Sequence, residues 1–105
     1  MKEIFMSEEI VLVARLKVRD DAIDATKGAA LAIVEASRSE EGNINYDIHQ
    51  ALDDPTVFIW HETWKHKTAV DDHFATEFFQ NFFATVEPLA AEPPQITLTR
   101  MISSK

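Results

Sequence analysis

Residues Ile10 to Val18 alternate, with Ile10, Leu12, Ala14, Leu16 and Val18 to one side and Val11, Val13, Arg15 and Lys17 to the other. That period of two predicts a strand. From Asp20 the spacing changes to three and four, through Ile23, Thr26, Ala30, Ile33, Val34 and Ser37, with Asp20 and Asp21 at the positive end and Gly42 beyond the last turn. This predicts one amphipathic helix of about five turns with a small-residue stripe. Ile44, Tyr46 and Ile48 alternate with Asn45, Asp47 and His49. After Asp53-Asp54-Pro55-Thr56, the run Val57 to Trp64 carries Phe58, Trp60, Glu62 and Trp64 on one face. The short polar connection makes the two runs a hairpin.

Helical spacing returns after Trp64 with a discontinuity. At about 100° per residue, Val70, His73 and Phe74 point one way, while Phe78, Phe79, Phe82, Phe83, Val86 and Leu89 centre roughly 120° around. One straight helix cannot bury both sets, so a break is predicted near Ala75, with Thr76 as N-cap and Glu77 in the first turn of a second helix. After Pro93-Pro94, Gln95 to Ile102 alternates as a last strand.

The order strand, helix, strand, strand, helix, strand predicts an α+β sandwich of ferredoxin-like βαββαβ topology, with helices on one face of an antiparallel sheet. Val11, Val13, Trp60 or its opposite-parity neighbour Ile59, and Met101 leave apolar residues on both faces, and a second subunit covering the bare face, a homodimer, is expected. The length of 105 residues predicts a single domain over 1–105, with its core at about 9–102.

Composition narrows the function. The net charge of −8 would repel a phosphate backbone, so no nucleic-acid partner is expected. No apolar run approaches the roughly 20 residues needed to span a bilayer, and Met1 to Glu9 lacks the apolar stretch of a signal peptide. No membrane association and a cytoplasmic location are expected, which the lack of cysteine also suits. His49, His61, His66 and His73 form no metal-ligand spacing, so no metal is expected. With Gly28 and Gly42 the sole glycines, a phosphate-cradling loop is disfavoured, and no serine has a strained-elbow setting.

What remains is aromatic and carboxylate-rich. Phe58, Trp60, Glu62 and Trp64 share a strand face, with His73 and a stripe of four phenylalanines, Phe78, Phe79, Phe82 and Phe83, on the helices that follow. A phenylalanine stripe at helical spacing is first of all core. A pocket so lined would also suit a flat apolar molecule, and a histidine or a desolvated glutamate in it could take a proton near neutral pH.

Glu41-Gly42, Tyr46-Asp47-Ile48-His49, Asp53-Asp54-Pro55, Phe58, Glu62-Thr63-Trp64, Ala69 and His73 together resemble the antibiotic biosynthesis monooxygenase family. The likeness runs from Ile10 to Ile102. Its most specific element is Glu62-x-Trp64 followed nine positions later by His73. The resemblance implies ferredoxin-like subunits paired through their sheets as a dimeric α/β barrel, and in many members oxidation of quinols or anthrones by molecular oxygen without metal or flavin. Thr76 matches the family's Ser/Thr, but Glu77-Phe78 replaces the Pro-His that often follows. In a related heme-degrading branch an Asn, a Trp and a His stand where this chain has Val13 or its neighbour, His73 and Phe83, so heme breakdown is not expected.

On this likeness the expected activity is cofactor-independent oxidation of a small aromatic quinol- or anthrone-like substrate by O2. His73 is expected to be the base and Glu62 its orienting or polarising partner. Trp60, Trp64, Phe78 and Phe82 are expected to form the pocket wall, with Tyr46 and His49 bonding a substrate oxygen. Replacing His73 is expected to cost activity and little stability. Two other readings stand beside this one: a non-catalytic, small-molecule-binding or stress-response dimer, and an isomerase of a phosphorylated sugar-like signal, for which Arg15, Lys17 and Arg100 are the available cations.

Overall fold

The computed structural model describes residues 8–103. Met1–Ser7, and with them most of the Met1–Glu9 start, lie outside the described residues, as do Ser104 and Lys105. The elements are β1 (Ile10–Lys17), α1 (Ile23–Ala32), α2 (Val34–Arg38), β2 (Asn43–Gln50), β3 (Val57–Trp64), α3 (Lys67–Ala75), α4 (Glu77–Val86) and β4 (Gln95–Thr99), with 3-10 turns at Asp20–Ala22 and Glu87–Leu89. The strands form one antiparallel sheet in the order β2-β3-β1-β4. With helices covering one face, this is the ferredoxin-like α+β arrangement that the alternation of periods predicts.

The registers explain which residues meet. Leu12, Ala14 and Leu16 of β1 lie opposite Glu62, Trp60 and Phe58 of β3, and Tyr46 of β2 also lies opposite Glu62. Side chains of one parity therefore share the covered face. Leu12, Leu16, Tyr46, Phe58, Trp60 and Trp64 are buried there against Val70, Phe82 and Val86 of the helices.

The sheet's other face holds Val11, Val13 and Ile59 among Arg15, His61, Asn45, Asp47 and Thr97. Trp60 belongs to the covered face, and Met101 lies beyond β4 with 53% of its surface exposed. The bare face is thus less apolar than the sequence suggests. The strand ends also shift: β1 stops at Lys17, leaving Val18 in an isolated bridge to Ala90, and β4 stops at Thr99.

Both helical runs are divided. The second breaks as predicted: Thr76 is extended, its Oγ1 accepts from the Phe79 backbone N–H at 3.2 Å and donates to the His73 carbonyl at 2.8 Å, and α4 starts at Glu77. The first run, expected as one helix, is interrupted at Ile33 (φ −106°, ψ 7°). Its buried positions still fall on one stripe, with Thr26, Ala30, Ile33 and Ser37 all inside, because a one-residue irregularity between short helices leaves the period intact.

In β2 a register shift between Asn43 and Asn45 turns Ile44 outward, to 48% exposure, whereas strict alternation would bury it beside Tyr46.

Candidate functional site

Position 62 is central in the sheet, flanked by Leu12 on one side and Tyr46 on the other, and Glu62 is only 4% exposed. Trp64, two residues on and so on the same face, donates its indole N–H to Glu62 Oε1 at 2.9 Å. Among the described residues no side chain or backbone N–H donates to Oε2. Glu62 lines an apolar cleft of about 50 Å³ between the sheet and α4, whose walls include Tyr46, Trp60, Phe79, Phe82 and Ile96. A cavity that holds benzene needs on the order of 150 Å³, so an aromatic guest must push the mouth apart. Phe83 (37% exposed) and Ile96 (47% exposed) line it and are free to give way.

The surroundings set the acidity of this wall. Burial pushes the Glu62 carboxyl up to about 7; the Trp64 hydrogen bond opposes the rise and the Glu40 charge adds to it. Burial, with the Glu62 charge next in size, also raises the Tyr46 phenol, so Tyr46 remains a neutral hydroxyl.

His73 comes from the buried side of α3, with Ala69 and Val70. It is fully buried and packed against the rings of Trp64, Phe79, Tyr46, Phe74 and Phe78, at centroid distances of 4.7 to 6.0 Å. Tyr46, Phe74 and Phe79 line the cleft, whereas His73 lies one layer behind them. Its Nδ1 is 2.6 Å from Glu40 Oε1, and its Nε2 is buried with no hydrogen-bond partner among the described residues. Burial lowers the His73 pKa against the opposing pull of Glu40, which keeps the ring neutral near pH 7.

Four of the expected site residues, Tyr46, Trp60, Glu62 and Phe82, meet on the cleft. Four differ from expectation. The partner of His73 is Glu40, in the turn before β2, and not Glu62, whose bond goes to Trp64. Trp64 has no exposed surface and acts behind the wall. Phe78 packs on His73 while Phe79 and Phe83 face the cleft, because the cleft lies to one side of the stripe's mean direction. His49 has the opposite parity to Tyr46, is exposed, and borders a separate depression of about 280 Å³ with Leu31 and Phe58. His61 is exposed, and His66 caps α3 by accepting from the Ala69 N–H. Of the cations, Arg15 borders the cleft at the β1–β4 edge, but it has the parity of the other face and its guanidinium is paired with Glu92 at 3.1 Å; Lys17 is paired with Asp54 at 2.8 Å.

Glu40 escaped the sequence reading because a turn residue carries no periodicity. Gly42 marks the turn as a whole but does not single out Glu40 from Glu41. A Cβ on Gly42 would collide with the Cβ of Ala69, so glycine is what lets this turn close onto α3.

Comparison with known proteins gives a consistent picture. The family model described as antibiotic biosynthesis monooxygenase matches residues 9–85. "Putative monooxygenase YcnE" of Bacillus subtilis is 33% identical over 92 residues, 88% of this chain and 97% of its own. Among solved structures, "Putative antibiotic biosynthesis monooxygenase from Nitrosomonas europaea" superposes with a TM-score of 0.87 at 29% identity, over 91% of this chain and 92% of that one. PA3566 from Pseudomonas aeruginosa gives 0.86 at 28% identity, over 93% and 98%.

Proposed function

The chain belongs to the antibiotic biosynthesis monooxygenase family, and from that membership we propose that it oxidises a small, electron-rich aromatic molecule of the quinol or anthrone class with molecular oxygen, drawing on no metal or flavin. The observation that carries this reading is the Glu62 carboxyl on the wall of an apolar aromatic cleft, with Oε1 held by Trp64 and an acidity near neutrality. Such a carboxylate is matched to the proton of a phenol or enol. The Tyr46 hydroxyl, uncharged and opposite Glu62, is suited to bonding a substrate oxygen.

Glu62 takes the hydroxyl proton, and the anion passes one electron to oxygen. The organic radical and superoxide, confined by the aromatic walls, combine through a carbon–oxygen bond, and the peroxide regains the proton from Glu62. Loss of the carbon-bound hydrogen as a proton, with cleavage of the O–O bond, leaves a carbonyl, and the departing hydroxide becomes water. One oxygen atom ends in the product and one in water. The protein's part is deprotonation, confinement and exclusion of solvent.

The test is oxygen uptake by metal-stripped protein with a panel of hydroquinones and anthrones. Uptake with at least one of them is expected. None with any, together with saturable quenching of Trp60 and Trp64 fluorescence, would instead favour a non-catalytic binding protein. The isomerase reading has less support, since among the described residues the cation bordering the cleft, Arg15, is engaged by Glu92.

We also propose that the chain pairs with a second copy through the bare face of the sheet, where Val11, Val13 and Ile59 are the apolar centre. Light scattering at micromolar concentration should give about twice the 11.9 kDa chain mass. A value near the chain mass would count against pairing.

A further inference from the structure

We propose that Glu40 is a positioning residue of this site: it holds His73 with the proton on Nδ1, so that Nε2 is left as a bare acceptor for a hydroxyl group of the molecule in the cleft. This rests on the cleft being where the ligand binds.

Glu40 has two faces. Its Oε1 is 2.6 Å from His73 Nδ1, while its side chain keeps 17% of its surface exposed on a polar depression of about 390 Å³ bordered also by Glu41, His66 and Asp72. A carboxylate can only accept, so the hydrogen of a neutral imidazole must sit on Nδ1 and the lone pair on Nε2. Nε2, the nitrogen not facing Glu40, is buried and without a partner among the described residues, in a ring cluster that includes the cleft residues Tyr46, Phe74 and Phe79. A buried nitrogen without a bond is costly and calls for an explanation. Here a donor arriving through the wall supplies one.

Phe74 and Phe79 are the half-buried members of that wall. The cleft at about 50 Å³ already requires rings to move before an aromatic guest fits, and these two, which line it and pack on the His73 ring, are on our proposal the ones that open the way to Nε2. The Glu40 carboxylate at the other nitrogen polarises the ring and strengthens Nε2 as an acceptor. Several observations converge on this pairing. The turn carrying Glu40 is tied to β3 by the Lys65 N–H bonding the Gly42 carbonyl at 2.9 Å, and it closes on α3 where Gly42 meets Ala69. The backbone of His73 is held by Thr76 Oγ1. Both partners are therefore fixed by contacts independent of their own bond.

The experiment reads the ring nitrogens of His73 directly, by long-range ¹H–¹⁵N correlation on the full chain, with 2-naphthol as probe. The parent should show the proton on Nδ1, and naphthol should move the Nε2 resonance. Glu40→Gln, whose amide can offer either an oxygen or an N–H, should populate both tautomers. It should also lose about 10- to 100-fold in kcat on any quinol that the parent oxidises, with Glu40→Asp restoring the tautomer. A parent ring protonated on Nε2, an Nε2 resonance that naphthol leaves in place, or a Glu40→Gln variant within twofold of parental kcat would each overturn the proposal. Should Glu40→Gln not fold, the two parent measurements decide. Should the parent oxidise none of the panel, the oxygenase reading fails by itself while the nitrogen spectra still judge the role of Glu40.

Discussion

Replacing Glu62 by Gln is expected to lower kcat by about 10²- to 10⁴-fold, the usual contribution of a general base, while making the protein more stable at alkaline pH. The same burial produces both effects. A glutamate in the unfolded chain ionises near 4.5, and Glu62 in the folded chain near 7, so between these values the folded state binds more protons than the unfolded one. Stability from the protonated carboxyl is full below 4.5, falls as pH rises, and levels off above 7, a loss of about 3 kcal/mol. Glutamine has no charge to strip of water, and its amide oxygen can still accept from Trp64. Urea unfolding at pH 5 and pH 8 should show the variant's advantage over the parent growing as pH rises, with kcat measured on the same samples. A gap between the two proteins that is equal at both pH values would sink the burial account, and a variant with parental turnover would move the base elsewhere.

His73→Ala should destabilise the fold by about 2–4 kcal/mol. The sequence led us to expect a modest cost, but the ring is fully buried among five aromatic neighbours, and truncating a side chain in such a setting leaves a cavity the surroundings only partly fill. Glu40 also loses its partner. The cost should shrink as pH falls below about 6.5. His73 has a lowered pKa in the folded state, so the stability it gives is present above the unfolded value and lost as the pH drops toward the folded one. Alanine has no such dependence, so the two curves converge in acid. His73→Phe, which refills the volume without the Nδ1 donor, should recover part of the loss. An alanine variant within about 0.5 kcal/mol of the parent at pH 8 would show that the ring is not part of the packed core.

The sheet and the break at Ala75 were legible because both are written in periodicity: alternation at Ile10–Lys17 and Val57–Trp64, and a stripe that rotates between Phe74 and Phe78. The interruption at Ile33 was not, since no Gly or Pro marks it and the stripe continues across it. The outward turn of Ile44 depends on one extra residue in β2, which parity counting cannot see. At the site, shared strand parity brought Trp60 and Glu62 together, and pairing β2 with β3 placed Tyr46 opposite. The Glu40–His73 bond joins a turn to a helix 33 residues later, and nothing in local spacing selects Glu40 over Glu41. The choice of Phe79 over Phe78 on the wall depends on where α4 sits over the sheet, which a helical wheel leaves free.

The strand order has a consequence for how this family could diversify. β3, which carries Glu62, Trp60 and Trp64, lies inside the sheet with hydrogen-bonded neighbours on both sides, whereas β4, which brings Gln95 and Ile96 to the cleft, is an edge strand of exposed residues. Interior strands are among the last parts of a protein to open, and edges among the most tolerant of change. Substitution in the 92–98 segment can therefore reshape the entrance to the cleft at little risk to the packing around Glu62. The cleft is thus built of two nearly separable halves, a wall set deep in the sheet and a lip at its edge that can vary without disturbing it.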